Sequence, residues 1–210
     1  MISKARDEWS FQTHFIGILL AAVGTSYMAV TQMGEGAGRW LSFFVFGLSM
    51  IALYTCSSVY HYSNGSKEHI KKLRKLDHAM IFVLIAGTYT PILYNGVEAP
   101  KSYIFLSIMW ILAAGGIILK VFRMKAPRWL YTLIYIVMGW AIVFDFKALI
   151  ALPRTFLQYL IAGGIAYTVG AVFYIIKKPN FSEKFGFHEL FHVFILLGTV
   201  CHFIGIVFYL

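Results

Sequence analysis

The chain has 210 residues, 60 % of them hydrophobic and 13 % charged, with a formal net charge of +9 and a mean hydropathy of +0.73. A soluble domain carries about 25 % charged residues, so a water-solvated globule is excluded and lipid is the implied solvent. The basic excess does not point to nucleic acid, because the cations flank apolar runs, where they fix orientation and attract anionic headgroups.

Seven apolar runs predict seven membrane spans, at about 13–32, 40–61, 76–94, 102–119, 129–144, 156–176 and 187–209. Each approaches or exceeds the roughly 17–25 residues that cross a hydrocarbon core, except the fifth, which is short. Backbone groups in lipid must pair within their own segment, and no alternating ten-residue strands of a barrel occur. The expectation is an all-α integral membrane protein, a single seven-transmembrane helix bundle over 1–210. The first run is too long for the apolar core of a signal peptide and lacks a small-residue cleavage site, so it is expected to be retained. His14 in that run and His69 in the second loop read as loop or interface residues, and Trp9, Trp40 and Trp129 as interfacial anchors.

The second run ends in Ser57-Ser58-Val59-Tyr60-His61, placing Ser57 and His61 four residues apart. The third opens on Leu76-Asp77-His78 and closes on Ala86-Gly87-Thr88-Tyr89-Thr90-Pro91. There Pro91 is expected to break or kink the helix. His78 is expected to face away from Asp77, toward the interface. The seventh opens on His188-Glu189-Leu190-Phe191-His192, with His202 ten residues deeper, or about 15 Å along a helix. At that depth His202 reads as an interhelical hydrogen bond. Cys56 and Cys201 fall inside spans and read as core fillers rather than a disulfide.

Lysine and arginine are distributed 14 to 4 between the two sides of the bilayer that these spans define. The excess lies on the side of the N-terminus, which is therefore expected in the cytoplasm, with the C-terminus outside. This topology brings Ser57, His61, Asp77, His188 and His192 to one depth near the cytoplasmic face. Ionisable groups inside membrane helices are expensive and usually functional. Residues four apart share a helix face, so His188 and His192 from one helix and His61 from another offer three imidazole nitrogens. Three such ligands leave a fourth tetrahedral position open, the pattern of a catalytic zinc site, with Zn2+ the implied cofactor. Asp77 is placed to act as general base and Ser57 to hydrogen-bond the reacting water. Imidazole also binds other divalent ions.

His188-Glu-Leu-Phe-His192 also satisfies the His-Glu-x-x-His pattern of metalloproteases, with Glu189 as base. No carboxylate follows Glu189, and it lies about 100° around the helix from His188, so a headgroup-facing role suits it better.

Taken in order, Ser57 to His61, Leu76 to Phe82, Ala86 to Pro91 and His188 to His192 resemble the motifs of the hemolysin III family. That family is the compact bacterial branch of the progestin and adipoQ receptor superfamily, similar to alkaline ceramidases. The resemblance covers essentially the whole chain. It implies zinc held by His61, His188 and His192, with Ser57 and Asp77 beside the zinc water. It further implies a zinc-dependent, ceramidase-like hydrolase of a lipid amide or ester, acting in the cell membrane on a membrane lipid and linked to lipid homeostasis. Other readings are a receptor-like sensor of membrane state with structural zinc, a membrane-permeabilising protein, and an intramembrane metalloprotease.

Overall fold

A computed structural model describes residues 5–122 and 127–210, and every regular element among them is helical. They form α1 (Glu8–Thr31), α2 (Ala37–Tyr62), α3 (Lys67–Gly96), α4 (Lys101–Phe122), α5 (Arg128–Gly139), α6 (Phe146–Ala151), α7 (Arg154–Ile176) and α8 (Phe187–Tyr209), with a 3₁₀ turn at Ala141–Phe144. Six of these helices, α1 to α4, α7 and α8, are long and apolar enough to cross a membrane. The protein is accordingly a multi-pass helical membrane protein.

Helix ends run past the apolar runs, because hydropathy marks lipid depth and capping marks the helix. α1 begins five residues before its run. α3 begins nine before, where Ser66 Oγ accepts the His69 amide at 3.2 Å and stops fraying. Its first two turns are the basic, water-facing stretch from Lys67 to Lys75, so Asp77 sits well inside a continuous helix. Pro91 does not end α3, which continues to Gly96. Asn95 Nδ2 there donates to the Pro91 carbonyl at 2.8 Å and to Ser42 Oγ at 3.1 Å.

The fifth run is not one helix. α5 has 12 residues, about 18 Å, and then breaks into the 3₁₀ turn and the six-residue α6. One phenol bridges the break. Tyr89 Oη donates to the Gly139 carbonyl and accepts the Ile142 amide, both at 2.9 Å, so α3 supplies the partners that the broken helix leaves open. Asp145 then caps α6 through the Ala148 amide at 3.1 Å and pairs with Lys101 at the start of α4.

α1, α2, α3 and α4 pack in sequence, α7 packs on α8, and α8 returns to α1 and α3. α3 is central, touching α2, α4, α5 and α8. Small residues permit the close approaches expected where lipid supplies no hydrophobic drive between helices. A methyl group on Gly17 would fall 2.5 Å from the Tyr54 ring, and one on Gly47 would fall 2.5 Å from Thr25 Oγ1. Buried Phe43, Phe46, Met50, Phe82, Leu93 and Met109 fill the α2–α3–α4 core.

Candidate metal centre

The sequence places histidines on two helices, and the α8 return to α1 brings those helix ends together. His61, His188 and His192 each offer a ring nitrogen, and these atoms lie within 4.8 Å of one another. His61 Nε2 and His188 Nε2 are 3.4 Å apart. Two nitrogens of a tetrahedral zinc site, each about 2.0–2.1 Å from the ion, are separated by about 3.3–3.4 Å. His61 and His192 are buried, and the ring centroids of the three lie 4.6 to 5.1 Å apart.

Partners behind two of the rings orient them. His61 Nδ1 donates to Asp7 Oδ2 at 2.9 Å, and His192 Nδ1 faces the Ser10 carbonyl at 3.3 Å. A carboxylate or carbonyl on Nδ1 fixes the tautomer that leaves the Nε2 lone pair bare, the arrangement found behind metal-binding imidazoles. Asp7 is itself held by Arg6, at 2.9 and 3.1 Å, and its backbone amide donates to the His61 carbonyl at 3.1 Å. Burial opposes charge on Asp7, but hydrogen bonds from His61 and Arg6 outweigh it and hold the carboxyl down at about 2. This donor set suits a divalent cation of zinc type.

Ser57, one turn before His61, is fully buried, and its Oγ lies beside the Asp77 carboxyl without a well-formed hydrogen bond. Asp77 lines the same cavity as His188 and His192. That cavity, of about 420 Å³, runs from Arg74, Lys120 and Arg128 at one end to Tyr167 and His202 at the other.

Four sequence expectations change or sharpen. His14 is no interface residue: it is buried and stacks on His192, with centroids 3.8 Å apart and planes at 12°. Glu189 does not reach for headgroups, since Oε1 accepts from Ser10 Oγ and Oε2 from the Gly186 amide, both at 2.9 Å. Oε1 thus ties α8 to α1, while Oε2 caps the first turn of α8 itself. His78 does not turn from Asp77; its Nδ1 is 3.4 Å from Asp77 Oδ2, and its Nε2 meets Tyr174 Oη at 3.2 Å. His202 makes the expected interhelical bond, Nε2 to the Leu160 carbonyl of α7 at 3.1 Å. Cys56 and Cys201 are free thiols.

A family model described as haemolysin-III related matches residues 3–203. Among curated relatives, a hemolysin-3 homolog of Bacillus subtilis is 38 % identical over 200 residues, covering 94 % of this chain and 91 % of its own length. Hemolysin-3 of Bacillus cereus is 37 % identical over 199 residues, covering 94 % and 88 %. The human monocyte to macrophage differentiation factor is 25 % identical over 205 residues, covering 94 % and 82 %.

Proposed function

The chain belongs to the haemolysin-III related family, and on that premise we propose that it is a zinc-dependent hydrolase of an amide or ester bond in a membrane lipid. The observation that carries this reading is the convergence of three imidazoles, two with Nδ1 engaged from behind, beside a cavity that His188, His192 and Asp77 line. The orientation we adopt has the broken segment α5–α6 completing a seventh crossing. The N-terminus is then cytoplasmic, the C-terminus outside, and the mouth of the cavity in the cytoplasmic leaflet of the cell membrane.

His61, His188 and His192 would hold the ion, which supplies Lewis-acid polarisation of the scissile carbonyl oxygen when bound. Asp77, half-buried and facing the cavity, accepts a proton from the attacking water and returns it to the leaving amine or alkoxide. Ser57 lies beside Asp77, where its hydroxyl could hydrogen-bond the reacting water. Apolar side chains such as Ile81, Ile85 and Ile195 line the cavity beyond and exclude bulk water from the acyl chain.

The test compares Asp77→Asn with His188→Ala in full-length protein reconstituted with ceramide and diacyl phospholipid. Asp77→Asn should retain metal by elemental analysis and release no acyl product by mass spectrometry. His188→Ala should lose both. Turnover persisting in Asp77→Asn removes the base.

A second reading has one observation in its favour: the ligands bridge α2 and α8 while Asp7 and Ser10 of the N-terminal end hold them, so an ion there clamps three segments. A sensor or receptor-like protein with structural zinc would lose thermal stability on chelation and yield no lipid product under any condition.

A further inference from the structure

The end of the cavity opposite His202 is cationic. Arg74 of α3, Lys120 of α4 and Arg128 of α5 converge on it, and Asp77 is the only acid lining the cavity among the described residues. None of the three cations forms a salt bridge among the described residues. Two are held on aromatic rings instead, Lys120 Nζ 4.0 Å from the Tyr131 centroid and the Arg128 guanidinium 4.6 Å from that of Tyr174. Contacts of this kind orient a cation without neutralising it.

Positive flanks alone would explain basic residues at this depth. Such anchors extend their heads into water, as exposed Lys71 and Lys72 do on the first turns of α3. Lys120 does the opposite. It is only 7 % exposed and directed inward, where Asp77 is the one acid that Lys120, Arg74 and Arg128 share among the described residues, and a buried ammonium beside two further cations is retained only where something offsets its desolvation.

We propose that this mouth is an anion site that selects membrane lipids with a net negative, phosphate-bearing headgroup, and so names the lipid class the cavity admits. The inference rests on the reading that the cavity receives lipid. Three cations from three helices can surround a tetrahedral phosphate, with two guanidinium forks and one ammonium as donors. Below them the lining turns apolar through Ile81, Ile85, Ile136 and Ile195, as an acyl chain requires. From His188 to His202 the cavity follows about 21 Å of the α8 axis. A zwitterionic headgroup brings no net charge to offset the excess of cations over Asp77.

The test is competitive native mass spectrometry of the full-length protein with equal amounts of short-chain phosphatidylglycerol and phosphatidylcholine, alongside inorganic phosphate alone. The wild type should prefer phosphatidylglycerol by about tenfold or more. Lys120→Gln and, at an exposed position that leaves packing untouched, Arg74→Gln should each cut that preference several-fold, while the double variant Lys71→Gln/Lys72→Gln should keep it. No preference in the wild type, equal loss in the Lys71/Lys72 variant, or inorganic phosphate binding as tightly as the lipid overturns the proposal. Each measurement is repeated after chelation, where the preference should survive. Failure of metal binding or turnover is thereby separated from failure of the headgroup site.

Discussion

Asp7 lies just outside the first membrane helix, yet the geometry makes it the group on which the proposed metal ligand His61 depends. Asp7→Ala removes the Oδ2 acceptor at 2.9 Å from His61 Nδ1 and strands the Arg6 guanidinium that held it. The backbone bond from the Asp7 amide to the His61 carbonyl remains, so the segment keeps its anchor. Losing a carboxylate behind a ligating imidazole lowers metal affinity by about 10- to 100-fold. Asp7 is 39 % exposed, so water replaces part of what is lost. The lower end of that range applies, about tenfold or about 1.4 kcal/mol. Asp7→Asn, which keeps an oxygen but no charge, should fall between the two. The assay is competition against a chromogenic chelator, with Glu35→Ala, exposed and remote, as control. Because the Asp7 carboxyl is held down at about 2, against an ordinary 3.8, its contribution to folding is complete above the ordinary value and is lost as pH falls through about 2. Changes in metal affinity between pH 5 and 8 therefore do not arise from it. An Asp7→Ala protein that binds zinc as tightly as its parent would refute the reasoning.

His14→Phe keeps the ring stacked on His192 and removes two buried nitrogens that have no hydrogen-bond partner among the described residues; metal content should be unchanged and stability equal or higher by about 1 kcal/mol. Loss of metal in that variant would make His14 a fourth ligand. Gly198→Ala places a methyl 2.6 Å from the Tyr167 ring, which is fixed by its hydroxyl on Thr199 at 2.8 Å; thermal unfolding should show a loss of about 1–3 kcal/mol. Tyr89→Phe strands the Gly139 carbonyl and the Ile142 amide at the break in the fifth run. The cost should be about 1–3 kcal/mol, and hydrogen exchange should rise at Ile142 first.

Spacing and hydropathy made the bundle legible, because a polar group in lipid must serve either a neighbouring helix or a function. The pairs at 57 and 61 and at 188 and 192 are visible because i,i+4 geometry is local, and the structure brings His61 to His188 and His192. His14 was legible in principle. Ser10, His14, Gly17, Ala21, Gly24 and Met28 are buried on α1, and their spacing of three and four is the stripe of a helix that packs on protein, with His14 on it. The mean apolarity of the first run does not reveal that face, because its outward side is equally apolar. Asp7 and Glu189 were not legible as partners, since each pairs with a residue more than fifty positions away. The break after Gly139 escaped for a related reason. The group that makes it tolerable, the Tyr89 hydroxyl, comes from another helix.

The imidazole cluster itself argues for a cation. Four rings, His14, His61, His188 and His192, meet where α1, α2 and α8 join, and His61 and His188 present Nε2 to Nε2 at 3.4 Å. With the His61 Nδ1 proton given to Asp7, His61 offers only a lone pair on that side. Either His188 points its single proton there, or two lone pairs oppose each other across a gap that suits a tetrahedral edge. The first choice moves the His188 lone pair to Nδ1, away from His61. The second is unfavourable in a low-dielectric site unless a positive charge lies between them. A cluster costly by local rules persists where function or a bound group compensates. Removing the ion should therefore destabilise the junction of α1, α2 and α8 while leaving the α3–α4 core intact. Hydrogen exchange before and after chelation would locate that loss, and uniform protection throughout would argue that no ion binds.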